Sequence, residues 1–409
     1  MDKGTNVAVR FTSHGEILPQ VNNPAQPFLR VSIVDTEKTF RSLGEVWNRL
    51  ARGAGGSVFF QHEWFDAAWA WRKKGSSLFV LLAWEEDEPV GILPLVSVRE
   101  ESPFLALRSL EFLAVPDTQF CDLIAAPEDR SRVAEVFCAE LHKKRKEWDR
   151  LVLRYLDKTG AVLNEIKAGL AARQYTCDVK TQGPNLFVKL ESSWDAYYST
   201  RSRSLKKANN LAANRLKKAG EITVQWISSE NSSETAIQGA LEQLIDISRR
   251  SWKQETGNSL DQPGPRSFIQ TLTAHAARRG WLSVWLLSID DRPLAMEYQL
   301  LDAGNVYALR ADFDAGCEEI SPGSYLMRAL LETLFDRNLR RYYMGPGNNA
   351  YKARWTEEAD TLHQMIVYGR TWRGQLKRLL DGVVKPLARS LRDALAFRKA
   401  QPVAKDNRP

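Results

Sequence analysis

Apolar side chains recur along the chain with two periods, and the change from one to the other marks the elements. Phe40, Leu43, Val46, Trp47 and Leu50 are spaced for one face of a helix over 36–50. Gly53-Ala54-Gly55-Gly56 ends it. Ser57-Val58-Phe59-Phe60 reads as extended, so this glycine run does not open a helix as a phosphate loop would. A helical stretch carrying Trp64, Ala68 and Trp71 follows. Residues 78–84 and 89–98 then read as two strands joined by an acidic turn.

The same hairpin returns later in the chain. Leu78-Phe79-Val80-Leu81-Leu82 with Glu86-Asp87-Glu88-Pro89-Val90-Gly91 has its counterpart in Leu282-Ser283-Val284-Trp285-Leu286 with Asp290-Asp291-Arg292-Pro293-Leu294-Ala295. Pro89 and Pro293 lie 204 residues apart, and this offset holds through both hairpins without a gap. Each hairpin follows a tryptophan-bearing helical segment. Each continues into a strand, a helix and a strand: 110–115, 132–142 and 150–155 in the first half, and 305–313, 324–337 and 341–344 in the second. The pattern predicts an α/β (α+β) protein of two repeated domains, with mixed, mostly antiparallel sheets flanked by helices. The expected boundaries are a leader over 1–30, a first domain over 31–190, a basic helical arm over 191–220, a second domain over 221–370, and a basic amphipathic tail over 371–409.

Composition adds little until charge is considered. A chain of 409 residues with 44% apolar and 26% charged residues is globular and too long for one ordinary core. The net charge of +7 favours an acidic partner such as a nucleotide cofactor, nucleic acid or anionic lipid, and fixes none of them. Much of it sits in 201–218, where Arg201, Arg203, Lys206, Lys207, Arg215, Lys217 and Lys218 occur with no acidic residue. Trp194, Tyr198, Leu205, Ala208 and Ala212 share one helical face there, so the segment reads as a basic helix, either a solvated arm or a clamp for phosphates. In the tail, Trp372, Leu376, Leu379, Leu380, Val383 and Leu387 recur at helical spacing among basic residues. That pattern suits packing on the body or peripheral contact with an anionic membrane. The four scattered cysteines read as free thiols, and no signal-type or membrane-spanning apolar run occurs; a cytoplasmic protein, with possible peripheral contact at the inner membrane, is expected.

Several chemistries lack their motifs. The five histidines are dispersed, with no His-Glu-x-x-His or Cys-x-x-Cys spacing, so no metal site is expected. There is no Gly-x-Ser-x-Gly elbow and no Walker loop with its lysine. Two segments carry a positive signal. Ser321-Pro322-Gly323-Ser324 stands between a strand and a helix, where a helix's first amides lack internal partners and its dipole favours an anion. The same residues also make an ordinary helix start, with serine as cap and proline in the first turn. Met344-Gly345-Pro346-Gly347-Asn348-Asn349-Ala350-Tyr351-Lys352-Ala353-Arg354-Trp355 closes a strand with a glycine-rich turn and then presents Tyr, Lys and Trp.

In the order Pro-Leu-Ala-Met-Glu (293–297), Phe313-Asp314, Ser-Pro-Gly, Gly-x-Gly and Tyr-Lys-x-x-Trp, the second half resembles the GNAT acyltransferase superfamily, specifically its CelD/BcsL-like members linked to cellulose and exopolysaccharide production. The tandem plan also resembles the Fem aminoacyltransferases. Asn348 and Asn349 stand where that family usually has acidic residues, and the usual aspartate near Tyr343 is missing. The resemblance implies N-acyl transfer from acyl-CoA, acetyl-CoA above all, to an amine on a sugar or cell-envelope precursor, with no metal. A Fem-type reaction with aminoacyl-tRNA and a non-catalytic binding module are its rivals. It implies Glu297 as base, with Asp314 as alternative, and Lys352 as a positive charge for a phosphate or oxyanion. Ser321, Gly323, Ser324 and Tyr325 would hold the CoA pyrophosphate, and Arg310, Tyr351, Lys206 and Lys207 would lie on the acceptor side. The first half carries Ala126-Pro127-Glu128-Asp129 at the comparable helix start. With no glycine and two carboxylates, it is expected to leave the cofactor to the second half.

Overall fold

The computed structural model describes residues 28–101 and 105–384. The 1–27 leader and the tail beyond 384, including Leu387, lie outside them. In the first half the elements are β1 (Leu29–Val34), α1 (Glu37–Ser42), α2 (Gly44–Gly53), α3 (His62–Arg72), β2 (Ser76–Leu78), β3 (Val80–Glu85), β4 (Glu88–Leu93), β5 (Leu95–Glu100), β6 (Leu107–Phe112), β7 (Ile124–Ala125), α4 (Arg130–Lys143), β8 (Arg150–Leu156), α5 (Lys167–Ala172) and β9 (Cys177–Lys189). The second half has α6 (Trp194–Ser199), α7 (Arg203–Ala219), β10 (Ile222–Ser228), α8 (Glu234–Arg249), α9 (Pro263–Arg279), β11 (Leu282–Ile289), β12 (Arg292–Asp302), β13 (Asn305–Phe313), α10 (Pro322–Phe335), β14 (Arg341–Pro346), α11 (Ala350–Ala353), β15 (Ala359–Tyr368) and α12 (Trp372–Leu379). The helix expected over 36–50 is broken at Leu43. The stretch 58–60 forms a single 3₁₀ turn rather than a strand, its Phe60 carbonyl accepting from Trp47 Nε1 at 2.9 Å.

The two hairpins share one register. In the first, Leu81 faces Leu93, Leu82 faces Ile92, Ala83 faces Gly91 and, after a bulge, Trp84 faces Pro89. In the second, Trp285 faces Glu297, Leu286 faces Met296, Leu287 faces Ala295 and, after a bulge at the same point, Ser288 faces Pro293. Every pair is displaced by the 204-residue offset. A proline inside a paired strand removes a ladder donor, which places the bulge where Pro89 and Pro293 stand. Each hairpin continues to a strand that runs parallel to the next one, β6 beside β8 and β13 beside β14. All other pairings among the described strands are antiparallel.

The halves are not separable along the sequence. Strand β9 pairs with β14 of the second half, β15 pairs with β8 of the first, and β9 and β15 pair with each other. The result is an 11-stranded sheet ordered β10-β11-β12-β13-β14-β9-β15-β8-β6-β5-β2, with a second sheet β1-β3-β4-β7. Strand pairing therefore crosses the 31–190 and 221–370 boundaries read from sequence. Helices α3 and α9 pack together between the halves, with Trp64 edge-on to Phe268 and Arg279 paired to Glu63. No described helix is long and apolar enough to cross a membrane, and no described group of His, Cys, Asp and Glu could hold a metal ion.

Candidate active site

Strands β13 and β14 pair only from Asn305 to Tyr307 and from Arg341 to Tyr343. Beyond that they diverge, and a cavity of about 600 Å³ opens between them. Its walls come from β12, β13, β14, α7, α10 and α11 and from Pro116 and Asp117 of the first half. Glu297, Lys352, Tyr351, Arg310, Ser321, Gly323 and Ser324 all line it, though they are spread over 56 residues of chain from Glu297 to Lys352. Tyr325, Asp314, Lys206 and Lys207 do not.

Glu297 is buried on β12, on the sheet face that meets α7 and α10. Its Oε1 accepts from Gln299 Nε2 at 2.8 Å and from Tyr342 Oη at 2.5 Å. Oε2 has no partner among the described residues. Burial raises the carboxyl's pKa to about 7, against the pull of the two donors and of Lys352 and Lys253. A carboxyl that titrates near neutrality and keeps one oxygen free is suited to taking a proton from an amine. Lys352 is also buried, and its Nζ donates to the carbonyls of Gly345 at 2.8 Å and Pro346 at 3.3 Å. Burial lowers its pKa to about 8 despite the nearby Glu297 carboxylate. The carbonyls can aim at Lys352 because Gly345 takes a φ of +80°, a conformation that glycine adopts without a Cβ penalty.

At the other end of the cavity stands the N-terminus of α10. Ser321 adopts φ 56°, ψ 52°, and its side chain does not cap the helix. Its carbonyl accepts from the amides of Ser324 at 3.2 Å and Tyr325 at 3.3 Å. Pro322 has no N–H, so Gly323 carries the one open amide of this turn, facing the cavity without a protein acceptor among the described residues. Of the four residues expected to hold the pyrophosphate, Ser324 and Tyr325 thus have their amides engaged, and the open amide is that of Gly323. A Cβ on Gly323 would lie 3.2 Å from Cδ1 of Phe313, so a side chain there must displace that ring.

The remaining expected residues are placed elsewhere for clear reasons. Asp314 is turned out of the cavity: it ion-pairs with Arg250 and Arg292 and accepts from the Gly316 amide at 3.0 Å. Arg310 lines the cavity, but its guanidinium is committed to Asp117, at 2.6 Å and 2.7 Å, and to the Asn258 carbonyl at 2.7 Å. Lys206 donates to the Ser199 carbonyl at 2.7 Å, and Lys207 is exposed. Helix α7 borders the cavity through Leu205 and Asn209 instead, because its apolar face is the one that packs. Tyr325 is half-buried against the α10 cluster. Sequence reasoning missed Gln299 and Tyr342. Gln299 was within reach, since period-two alternation puts residues 297 and 299 on one face.

Residues 203–353 match the family model for the acetyltransferase (GNAT) domain. No curated protein matches the chain. Among solved structures, the chain is similar to one assigned as the C-terminal domain (DUF2156) of a lysylphosphatidylglycerol synthetase from Agrobacterium fabrum. They share 12% identity over 84% of this chain and 96% of that one, with a TM-score of 0.51. It is also similar to FemX, with 10% identity over 82% of this chain and 98% of that one and a TM-score of 0.50. At these identities the two structures speak for the fold. The matched segment takes in α7, β10 to β14 and α11 and contains Glu297, Gly323 and Lys352, so the cavity belongs to a GNAT-type acyltransferase domain.

Proposed function

We propose that this protein is an N-acyltransferase that moves an acyl group, acetyl in the simplest case, from acyl-CoA to an amine on a sugar or cell-envelope precursor. One observation carries the reading: a buried carboxyl that titrates near pH 7 shares a cavity with an open helix N-terminus. Gly323 offers a phosphate-facing amide and room for close approach, supported by the dipole of the 14-residue α10. The thioester carbonyl would then lie along the diverging β13 and β14. Its attack by the amine requires loss of a proton, and Glu297 Oε2 accepts it. The thiolate leaves beside Lys352, a buried ammonium on the cavity wall. Cellulose or exopolysaccharide production would be the setting if the precursor is a nucleotide-linked sugar.

A second reading, aminoacyl transfer from tRNA, draws on one feature. Lys207, Lys217 and Lys218 of α7 face solvent without ion-pair partners among the described residues, and such a stripe suits a phosphate backbone. Thermal-shift titration with acetyl-CoA, longer acyl-CoAs, nucleotide sugars and aminoacyl-tRNA separates the two. Acyl-CoA at about 100 times its Kd should add about 2.7 kcal/mol of stability, and Gly323→Val should abolish that gain. Stabilisation by aminoacyl-tRNA alone would favour the second reading. Stabilisation by acyl-CoA that survives Gly323→Val would remove the α10 turn from the site.

A further inference from the structure

Behind Glu297 runs a line of hydrogen bonds whose direction is fixed by two tryptophans. Gln299 and Glu297 lie on the same face of β12, and their cross-strand partners on β11 include Trp285, opposite Glu297. Gln299 is fully buried. Its Oε1 accepts from Trp285 Nε1 at 3.1 Å and from Ser283 Oγ at 3.0 Å. An indole N–H can only donate, so the amide must turn its oxygen to Trp285 and its nitrogen to Glu297. Ser283 is fixed in the same way. Its hydroxyl oxygen accepts from Trp226 Nε1 at 3.0 Å, which leaves the hydroxyl proton to point at Gln299. Trp226 and Trp285 stack with ring centroids 5.6 Å apart, so the two donors brace each other. The polarity of the whole line, from β10 through β11 to β12, ends on one carboxyl oxygen.

We propose that Gln299 is a positioning residue: held by Trp285 and Ser283 with its amide nitrogen toward Glu297, it occupies Oε1 together with Tyr342 and reserves Oε2 for the proton of the acceptor amine. This rests on the reading of Glu297 as the base. Oε1 already accepts two hydrogen bonds, one of them from a phenol, so a proton on that oxygen would break one of them. Protonation therefore falls on Oε2, the oxygen turned to the cavity. Gln299 and Tyr342 also favour the charged carboxylate against the burial that disfavours it, as do the cations Lys352 on α11 and Lys253 on the turn after α8. Removing the Gln299 donor leaves burial with less opposition.

The line is absent from the first half. At the 204-residue offset, Leu95 stands for Gln299, Leu93 for Glu297 and Leu81 for Trp285, all in one apolar cluster. Gln299→Leu thus installs a side chain that this register already accommodates. The test is the pH dependence of kcat/KM in the whole protein, with the Glu297 carboxyl titrated separately by its infrared carbonyl band, assigned by its loss in Glu297→Gln. In Gln299→Leu the band's midpoint and the acid limb should both rise by about one pH unit, with kcat/KM at pH 7 about fivefold lower. Trp285→Phe keeps an aromatic ring at this position and removes the indole N–H, at the cost of some packing volume against Trp226. It should move both in the same direction by less, and it serves if Gln299→Leu melts early. An unmoved band in folded Gln299→Leu overturns the proposal, as does an unmoved band in Trp285→Phe should the leucine variant fail to fold. A band that moves while Glu297→Gln keeps full activity overturns the base reading instead and leaves the positioning of the carboxyl standing.

Discussion

At equivalent points of two hairpins with one register, the first half buries Leu93 and Leu95 and the second buries Glu297 and Gln299. Around the first pair lie Leu81, Leu110 and Phe112; around the second lie Trp285, Tyr342 and a cavity. Burying a leucine stabilises by about 1.5–3 kcal/mol. Burying a carboxyl costs free energy unless donors surround it. One hairpin is therefore built for stability, and the other gives some of it up to hold an ionisable group near neutrality. The same contrast holds at the loops. At the comparable helix start in the first half, the Ala126 carbonyl accepts from the amides of Asp129 and Arg130 at 2.9 Å and 3.1 Å, as the Ser321 carbonyl does from Ser324 and Tyr325, but Glu128 stands where Gly323 does. In the second half the Gly323 amide stays open. The first half also completes the second, since Asp117 holds Arg310 and the Gln119 amide donates to the Ala308 carbonyl at 2.9 Å.

The largest effect should come from making the second hairpin more like the first. Glu297→Gln keeps the shape and removes the base, so kcat should fall about 10²–10⁴-fold. Stability should move the other way. The folded pKa of Glu297 is raised to about 7 from an ordinary 4.5. Its contribution is thus complete below about pH 4.5 and lost as pH rises through 7. Above pH 7 the glutamine variant should be the more stable by up to about 3 kcal/mol. Chemical denaturation at pH 5 and pH 8 measures this, and equal stability differences at the two pH values would refute it.

The reverse exchange is the next test. Leu93→Glu places a carboxyl in an apolar cluster, with Leu81 opposite it and Leu95 where Gln299 stands in the second half. An uncompensated buried charge costs about 3–5 kcal/mol, and the variant should melt at lower temperature, less so at acid pH where the carboxyl is neutral. A loss below about 1 kcal/mol at pH 8 would mean that the first half is as tolerant of charge as the second, and the contrast would fail.

How much of this was legible in the sequence follows from what is local. The repeat showed because Pro89 and Pro293 mark the same bulge and the acidic turns beside them keep the same spacing. Glu297, Gly323 and Lys352 showed through ordered motifs. The exchange of β9 and β15 did not show, because pairing between distant strands leaves no mark on the periodicity of either one. Asp314 and Arg310 misled because a charge near a site looks the same in sequence whether it faces the ligand or a partner. Arg250 and Asp117 settle that, 64 and 193 residues away. The direction of the Gln299 amide depends on two indoles on neighbouring strands, a relation that exists only in the folded sheet.

A smaller effect is expected at Lys352, which has no buried cation to match it in the first-half cluster. Lys352→Ala should lower kcat at least tenfold, about 1.4 kcal/mol of transition-state stabilisation. The pH profile should also change shape. The parent should show a bell with limbs near 7 and 8, the values of Glu297 and Lys352. The variant should keep an acid limb, moved upward by loss of the Lys352 charge, and lose the alkaline one. An alkaline limb that survives would assign it to another group.

The smallest effect belongs to α7. Lys206, Lys207, Lys217 and Lys218 carry four charges, and none of them lines the cavity. Changing all four to glutamine should leave kcat unaltered, because Leu205, Asn209 and Leu216, the residues that seat the helix, are untouched. Lys206 is the exception to full exposure, since it holds the Ser199 carbonyl, so α6 should loosen slightly. What remains is long-range attraction. For an anionic acceptor, kcat/KM should drop about two- to threefold at low ionic strength, and the drop should disappear near 1 M salt, where the screening length is about 3 Å. An RNA-sized acceptor would respond differently, with a larger loss and a shallower dependence of log K on log salt, because each lysine lost returns about one released counterion. The salt slope thus decides between a small anion that the cavity binds alone and a long one that also needs the helix, and an unchanged slope with unchanged kcat/KM would leave α7 as a solvated face.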